Sequence, residues 1–135
     1  MTIFEKIIAR EIPASIIYED EKVISFLDIS PNNKGHALVV PKKTFVNILD
    51  GDDESLAHIM YVAKKVAHAL ISTTGATGVN LVMNNGADAG QVVFHAHMHV
   101  IPRFKDDGVF ESPKKTSYAE GEEVLLAEKI KSAIA

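Results

Sequence analysis

Residues 90–104 read GQVVFHAHMHVIPRF, and three of the chain's six histidines stand in it two apart, at 95, 97 and 99. Alternation at period two is the spacing of a β-strand, and Val, Phe, Met and Ile suit one. A strand over 92–102 would set His95, His97 and His99 on one face. Phe94, Ala96, Met98 and Val100 would line the other, so one face is built for a core and the other for chemistry.

The rest of the chain sets limits on that chemistry. A length of 135 residues predicts a single domain over 1–135, and 47% apolar content is enough to bury a core. A formal charge of −4 gives no reason to expect nucleic acid as a partner. No segment has the pattern of a signal peptide or the length of a membrane span, so no membrane association and a cytoplasmic location are expected. Without cysteine there can be no disulfide and no thiolate metal site.

Upstream, Thr2 and Glu5 stand three apart as in a capping box, and Ile3, Phe4, Ile7 and Ile8 form one apolar stripe. A short helix is predicted there, ended by Pro13. SIIYED (15–20) and KVISFLD (22–28) read as strands around a tight turn. ISPNNKG reads as a loop of turn formers, and HALVVP (36–41) as a buried strand. From Asp52 or Asp53, Leu56, Ile59, Met60, Ala63, Val66, Ala67 and Leu70 fall at helical spacing. GVNLVMNN (78–85) reads as a strand, GADAG as a loop, and 120–134 as an amphipathic helix. Strands in short-turn pairs predict an α+β fold: about five mainly antiparallel strands, one long central helix, and short N- and C-terminal helices.

Strand rise places residues two apart at roughly 6.6 Å and residues four apart at roughly 13 Å. Two of the three histidines could reach one ion, but a metal site would need a further ligand such as His36 or an acid. Neutral imidazole is also a nucleophile, since its pKa of roughly 6.5 leaves much of it unprotonated near neutrality. The preceding loop supplies Asn84, Gln91 and glycine-permitted backbone N–H groups, the donors a phosphoryl centre requires. A lone histidine is ordinarily a hydrogen-bonded structural residue, and His58 and His68 are read so. Lys42, Lys43, Lys114 and Lys115 read as solvated surface charge.

HAHMHVI resembles the signature of the histidine-triad (HIT) family, His-φ-His-φ-His-φ-φ with φ apolar. FLDISPNNKGHALVVPKK resembles that family's ribose-side segment, and NNGADAGQVVFHAHMHVIPR its phosphate-side segment. The resemblance implies a HIT-like fold, a homodimer whose sheet continues across the interface, and hydrolysis or transfer of a purine nucleotide or nucleotide conjugate, with no cofactor. It implies that His97 is the nucleophile forming a nucleotidyl-histidine. His95 and His99 would support it and bind phosphate, with His36 as a buttress. Asp28 and Ile29 would hold ribose and base, and Asn84, Gly90, Gln91 and the Val92 backbone would surround the phosphate. A transferase branch has Gln at the position of His99, so hydrolysis is favoured. Many bacterial members carry a zinc site made partly by an N-terminal Cys-x-x-Cys and a histidine after PKK. This chain has Thr2, Glu5 and Thr44 there, so zinc is expected to be absent. Phosphoramidase relatives often have serine where this chain has Val92.

Purine nucleoside phosphoramidates are the first expected substrates, with dinucleoside polyphosphates as the rival within the class. A low-turnover nucleotide-binding or interaction module and a His-based metalloprotein are the alternatives outside it.

Overall fold

Thr2 opens the first helix through its side chain. In the computed structural model, which describes residues 1–134, the Thr2 hydroxyl accepts from the Glu5 N–H at 3.2 Å. Glu5 Oε1 in turn accepts from the Thr2 N–H at 3.0 Å. This reciprocal pair satisfies two donors that a helix start otherwise leaves open. Helix α1 (Ile3–Ile8) then buries Phe4 and Ile7. It ends sooner than Pro13, the expected stop. Arg10 takes a left-handed φ of 62°, and the N–H groups of Glu11 and Arg10 donate back to the carbonyls of Lys6 and Ile7. That closure satisfies the last carbonyls without a proline.

The five strands are β1 (Ile16–Glu19), β2 (Val23–Leu27), β3 (Ala37–Pro41), β4 (Gly78–Val82) and β5 (Met98–Arg103). They form one sheet in the order β1-β2-β3-β5-β4, and every neighbouring pair is antiparallel. The expected α+β architecture is therefore present. Asp20 fastens the β1–β2 turn by accepting from the N–H groups of Lys22 and Val23.

Helix α2 (Asp53–Thr74) starts where the Asp52 carboxylate accepts from the Ser55 N–H at 3.0 Å. It stops at Gly75, whose φ of 74° is open to glycine at little cost. Its buried residues are Ile59, Val62, Ala63, Val66 and Leu70. Met60, expected on that stripe, is half exposed, and Val62 fills the buried position instead. This stripe packs on the sheet face made by Val23, Ala37, Val39, Met98 and Val100. The opposite face, with Ile24, Phe26, Leu38 and Val40, packs on Phe4 and Ile7. Each such fully buried Val, Ile, Leu or Phe contributes about 1.5–3 kcal/mol, so both helices are held chiefly by this burial.

The strand expected over 92–102 is shorter at its start and extends one residue further at its end. β5 begins at Met98, and residues 92–97 run outside the ladder. The β3–β5 register pairs Val39 with Met98, which would bring Pro41 opposite Ala96. Pro41 has no N–H to offer. The Ala96 N–H donates instead to the Phe45 carbonyl at 2.9 Å. The GADAG loop closes as a short 3-10 turn, Ala87–Ala89, ended by Gly90 at φ 91°. Helix α3 (Glu122–Ala133) forms as expected but buries none of its side chains. Among the described residues, no helix is long and apolar enough to cross a membrane.

Candidate active site

The ends of β3 and β5 bring His36 and His99 together, because Ala37 pairs with Val100 and Leu38 with His99. His36 Nε2 lies 2.9 Å from His99 Nδ1. Which nitrogen carries the proton is decided on the far side of His36. There the backbone N–H of Asn32 points at His36 Nδ1 from 3.0 Å. A peptide N–H can only donate, so His36 Nδ1 is an acceptor and its proton sits on Nε2. His36 Nε2–H therefore donates to His99 Nδ1. A neutral His99 must then carry its own proton on Nε2, at the cleft that it lines. Three groups in a row fix one tautomer.

His97 is set by a separate bond. Its Nδ1 lies 2.7 Å from the carbonyl oxygen of His95, so Nδ1–H donates and Nε2 keeps its lone pair. The Phe4 ring packs edge-on to the His97 ring at 4.9 Å, and the His99 ring stands 5.0 Å away on another side. His95 itself is turned out of the cleft. It is fully buried, its Nε2–H donates to the Pro41 carbonyl at 2.7 Å, and Nδ1 has no hydrogen-bond partner among the described residues. Its side chain thus anchors the bend before β5 and does not reach the phosphate position expected for it.

Gln91 differs from expectation in the same way. Its Oε1 accepts from the Gly86 N–H and Asn47 Nδ2, while Nε2 donates to the carbonyls of Val46 and Val93. With every polar valence engaged, it fastens the 86–93 loop and has no donor to spare for a ligand. Asn84, Gly90, Val92 and Val93 do line the cleft, together with His97, His99 and Asp28. Among the described residues, the N–H groups of Val92 and Val93 find no acceptor in the chain. Asp28 and Leu38 also line an adjoining apolar hollow with Ile7, Ile12, Phe26 and Ile29. Asp28 is held on both sides. Its N–H donates to the His36 carbonyl, and its Oδ1 accepts from the Ser30 N–H.

Asp28, His36 and His99 place one potential ligand atom each within 4.8 Å of one another. A cation there would need a lone pair from His36 Nε2, which holds a proton so long as Asn32 donates to Nδ1. The triangle suits a hydrogen-bonded relay and does not suit a metal. Thr2 and Glu5, at the position where relatives hold zinc, are engaged with each other in the capping box. Thr44 is exposed. The zinc does not fit these donors.

Phe4 and the Asn32 amide were not legible as site components. Phe4 reads as core from its apolar stripe, and an amide contributed by the backbone leaves no mark in residue type. His58, by contrast, makes the structural contact expected of it, 2.7 Å from Asp20. Lys42 and Lys43 are surface charges paired with Glu19 and Asp52.

Residues 9–106 match the HIT domain family model. The chain belongs to the HIT domain family. HIT proteins are nucleotide-binding hydrolases and transferases. An uncharacterised HIT-like protein of Methanocaldococcus jannaschii is 50% identical over 108 residues, covering 80% of this chain and 83% of that one. The crystal structure of a HIT family member from Bacillus subtilis superposes with a TM-score of 0.90 at 39% identity, covering 99% of this chain and 97% of that one. An Arabidopsis thaliana protein named adenylylsulfatase HINT3 is 36% identical over 110 residues, covering 82% of this chain and 56% of that one.

Burial sets the protonation of the HIT histidines. It lowers the pKa of His36, with Asp28 opposing. It lowers that of His97, with the bond to the His95 carbonyl opposing. His99 is pushed down to about 4, first by burial and then by His97 and His36. A folded value below the ordinary 6.5 means that the unfolded chain binds more protons between the two values. Stability is thus full above pH 6.5 and falls as pH drops towards 4. The depressed carboxylates Asp20, Asp52 and Asp107 act in a lower window, below their ordinary 3.8. Urea unfolding between pH 7 and 4 should therefore show stability falling with pH, and His99→Gln should flatten that slope. An unchanged slope in the variant would mean that His99 is not held neutral by the fold.

Proposed function

We propose that this protein hydrolyses purine nucleoside phosphoramidates at the α-phosphorus through a nucleotidyl intermediate on His97. The observation that carries this reading is the 2.7 Å bond from His97 Nδ1–H to the His95 carbonyl, which leaves the Nε2 lone pair at the cleft. In this reading the base enters the apolar hollow, the Asp28 carboxylate accepts from the ribose hydroxyls, and Ile29 covers the base. The phosphate lies among Asn84, Gly90 and the N–H groups of Val92 and Val93. His97 Nε2 attacks phosphorus as the bond to the amine breaks. Water then attacks the same phosphorus, the phosphorus–Nε2 bond breaks and a proton passes to solvent, which releases the nucleotide and restores neutral His97. His99 Nε2–H donates to a non-bridging oxygen whose charge grows in the transition state.

The Asn32–His36–His99 row orients that donor without supplying a net proton, because its far end is a peptide N–H that stays protonated. Water must then protonate the departing amine. Charge favours this substrate class over dinucleoside polyphosphates. Among the described residues, no Lys or Arg lines the cleft or the hollow. A single phosphate charge can be met by N–H dipoles, whereas a polyphosphate chain would bring several charges with no cation to meet them. An anhydride with one good anionic leaving group, such as an adenylyl sulfate, is the second reading. It is favoured by the name of the Arabidopsis relative and by the lack of a proton donor at residue 92.

A second copy of the chain completes this reading. β4 lies at the end of the sheet order, and α3 leaves Val124, Leu125, Leu126 and Ile130 exposed. An isolated helix of this length is marginal in water without a partner. A homodimer covers both surfaces. Light scattering should give twice the chain mass at micromolar concentration, and a monomer throughout that range would overturn the assignment.

His97→Asn should keep the fold and nucleotide affinity while lowering turnover by several orders of magnitude. Acid quenching during turnover should trap a nucleotide on the native protein and none on the variant. Near-native activity in His97→Asn would remove the covalent mechanism.

Val92 tests the leaving group. An amine must gain a proton as its bond to phosphorus breaks, while a phenolate departs as a stable anion. General-acid help is typically worth about 10²- to 10⁴-fold. Val92, 83% exposed at the cleft, has no hydroxyl to relay a proton. Val92→Ser should raise kcat/KM for alkylamine phosphoramidates more than for a substrate with an activated phenolate. Equal effects on both would mean that residue 92 acts through packing or its N–H.

A further inference from the structure

We propose that Asn33 is a positioning residue for His99, acting through the tautomer of His36. This rests on the reading of His99 as a phosphate donor given above. The sheet fixes where His36 stands, since Ala37 already pairs with Val100. It does not fix which ring nitrogen is protonated. That is decided by the Asn32 N–H, which belongs to the loop between β2 and β3.

The loop is pinned by the side chain of its next residue. Asn33 Nδ2 donates at 2.9 Å to the Pro102 carbonyl and at 2.9 Å to Asp107 Oδ2, and the Asn33 carbonyl accepts from the His36 N–H at 3.0 Å. Asp107 is a firm anchor. Its side chain is 8% exposed, and it accepts from Arg103 Nε and Nη2 and from the N–H groups of Phe104 and Val109. These donors, led by Arg103, hold its carboxyl well below the usual range. Arg103 is fixed in turn by Asn80 Oδ1 at 2.6 Å. Asn33 thus ties the loop to β5, the strand that carries His99.

Without that tie, the Asn32 N–H can leave His36 Nδ1, and the His36 proton can move there. His36 Nε2 would then present a lone pair to His99 Nδ1, which would have to take the proton. His99 Nε2 would become an acceptor facing a phosphate oxygen, and a donor would be lost from the site.

The test is nitrogen-15 NMR of the histidine rings in the native protein, Asn33→Ala and the milder Asn33→Ser. Native His99 should carry its proton on Nε2, and the variants should show a second population protonated on Nδ1. With a phosphoramidate substrate, kcat should fall by roughly tenfold in the variants, towards the 10²- to 10³-fold typical of a fully lost oxyanion donor. KM should change little, because Asn33 does not line the cleft. If His99 stays protonated on Nε2 in a folded variant, the proposal is overturned. If the tautomer shifts while kcat holds, the positioning of His99 stands and its assigned role in hydrolysis falls.

Discussion

The β3–β5 ladder ends at the Val39–Met98 pair, and the cleft depends on where it ends. Had the ladder run on, the amide and carbonyl of Ala96 would have been used in sheet bonds opposite Pro41. The missing N–H of Pro41 prevents that, and the freed Pro41 carbonyl is taken up by the His95 ring. With His95 held in this way, its own carbonyl turns to receive His97 Nδ1–H. One absent donor in β3 is thus followed, two hydrogen bonds later, by a His97 ring of fixed tautomer with its Nε2 lone pair free. On the other side of the break, the intact ladder keeps His36 beside His99.

Much of this was legible in the chain because burial leaves period and composition behind. Period-two alternation placed Ala96, Met98 and Val100 in the core, and all three are buried against α2 even though only two lie within β5. Phe94 broke the pattern and is half exposed, because the chain has bent away by that point. Caps were equally readable at Thr2, Glu5 and Asp52, where side-chain chemistry itself selects the backbone. The end of α1 was not, since Arg10 adopts the left-handed conformation with no glycine to signal it.

Function was legible at the level of residue type and much less so at the level of role. His95 and Gln91 look like ligand-facing groups in sequence, yet each spends its polar atoms holding the backbone of the 86–97 segment. The groups that set the tautomers are mostly backbone atoms: the Asn32 N–H and the His95 carbonyl. Any residue but proline could supply that N–H, so nothing in residue type points to it. Only the folded path of the loop does.

Neutral rings follow from the same arrangement. His36, His99 and His97 stand in a row, with successive ring centroids 5.1 and 5.0 Å apart. Protonating His99 would place its charge beside two rings that resist it and in a site that already disfavours charge by burial. Asp28 offsets this only in part. A site of cations would bind phosphate more strongly in the ground state, and a cationic His97 could not attack. Neutral rings with fixed protons give direction in place of charge: a lone pair on His97 and an N–H on His99, both facing one cleft. Such a site can favour the developing charge of a transition state over the resting charge of a bound nucleotide, and that difference is what accelerates a reaction.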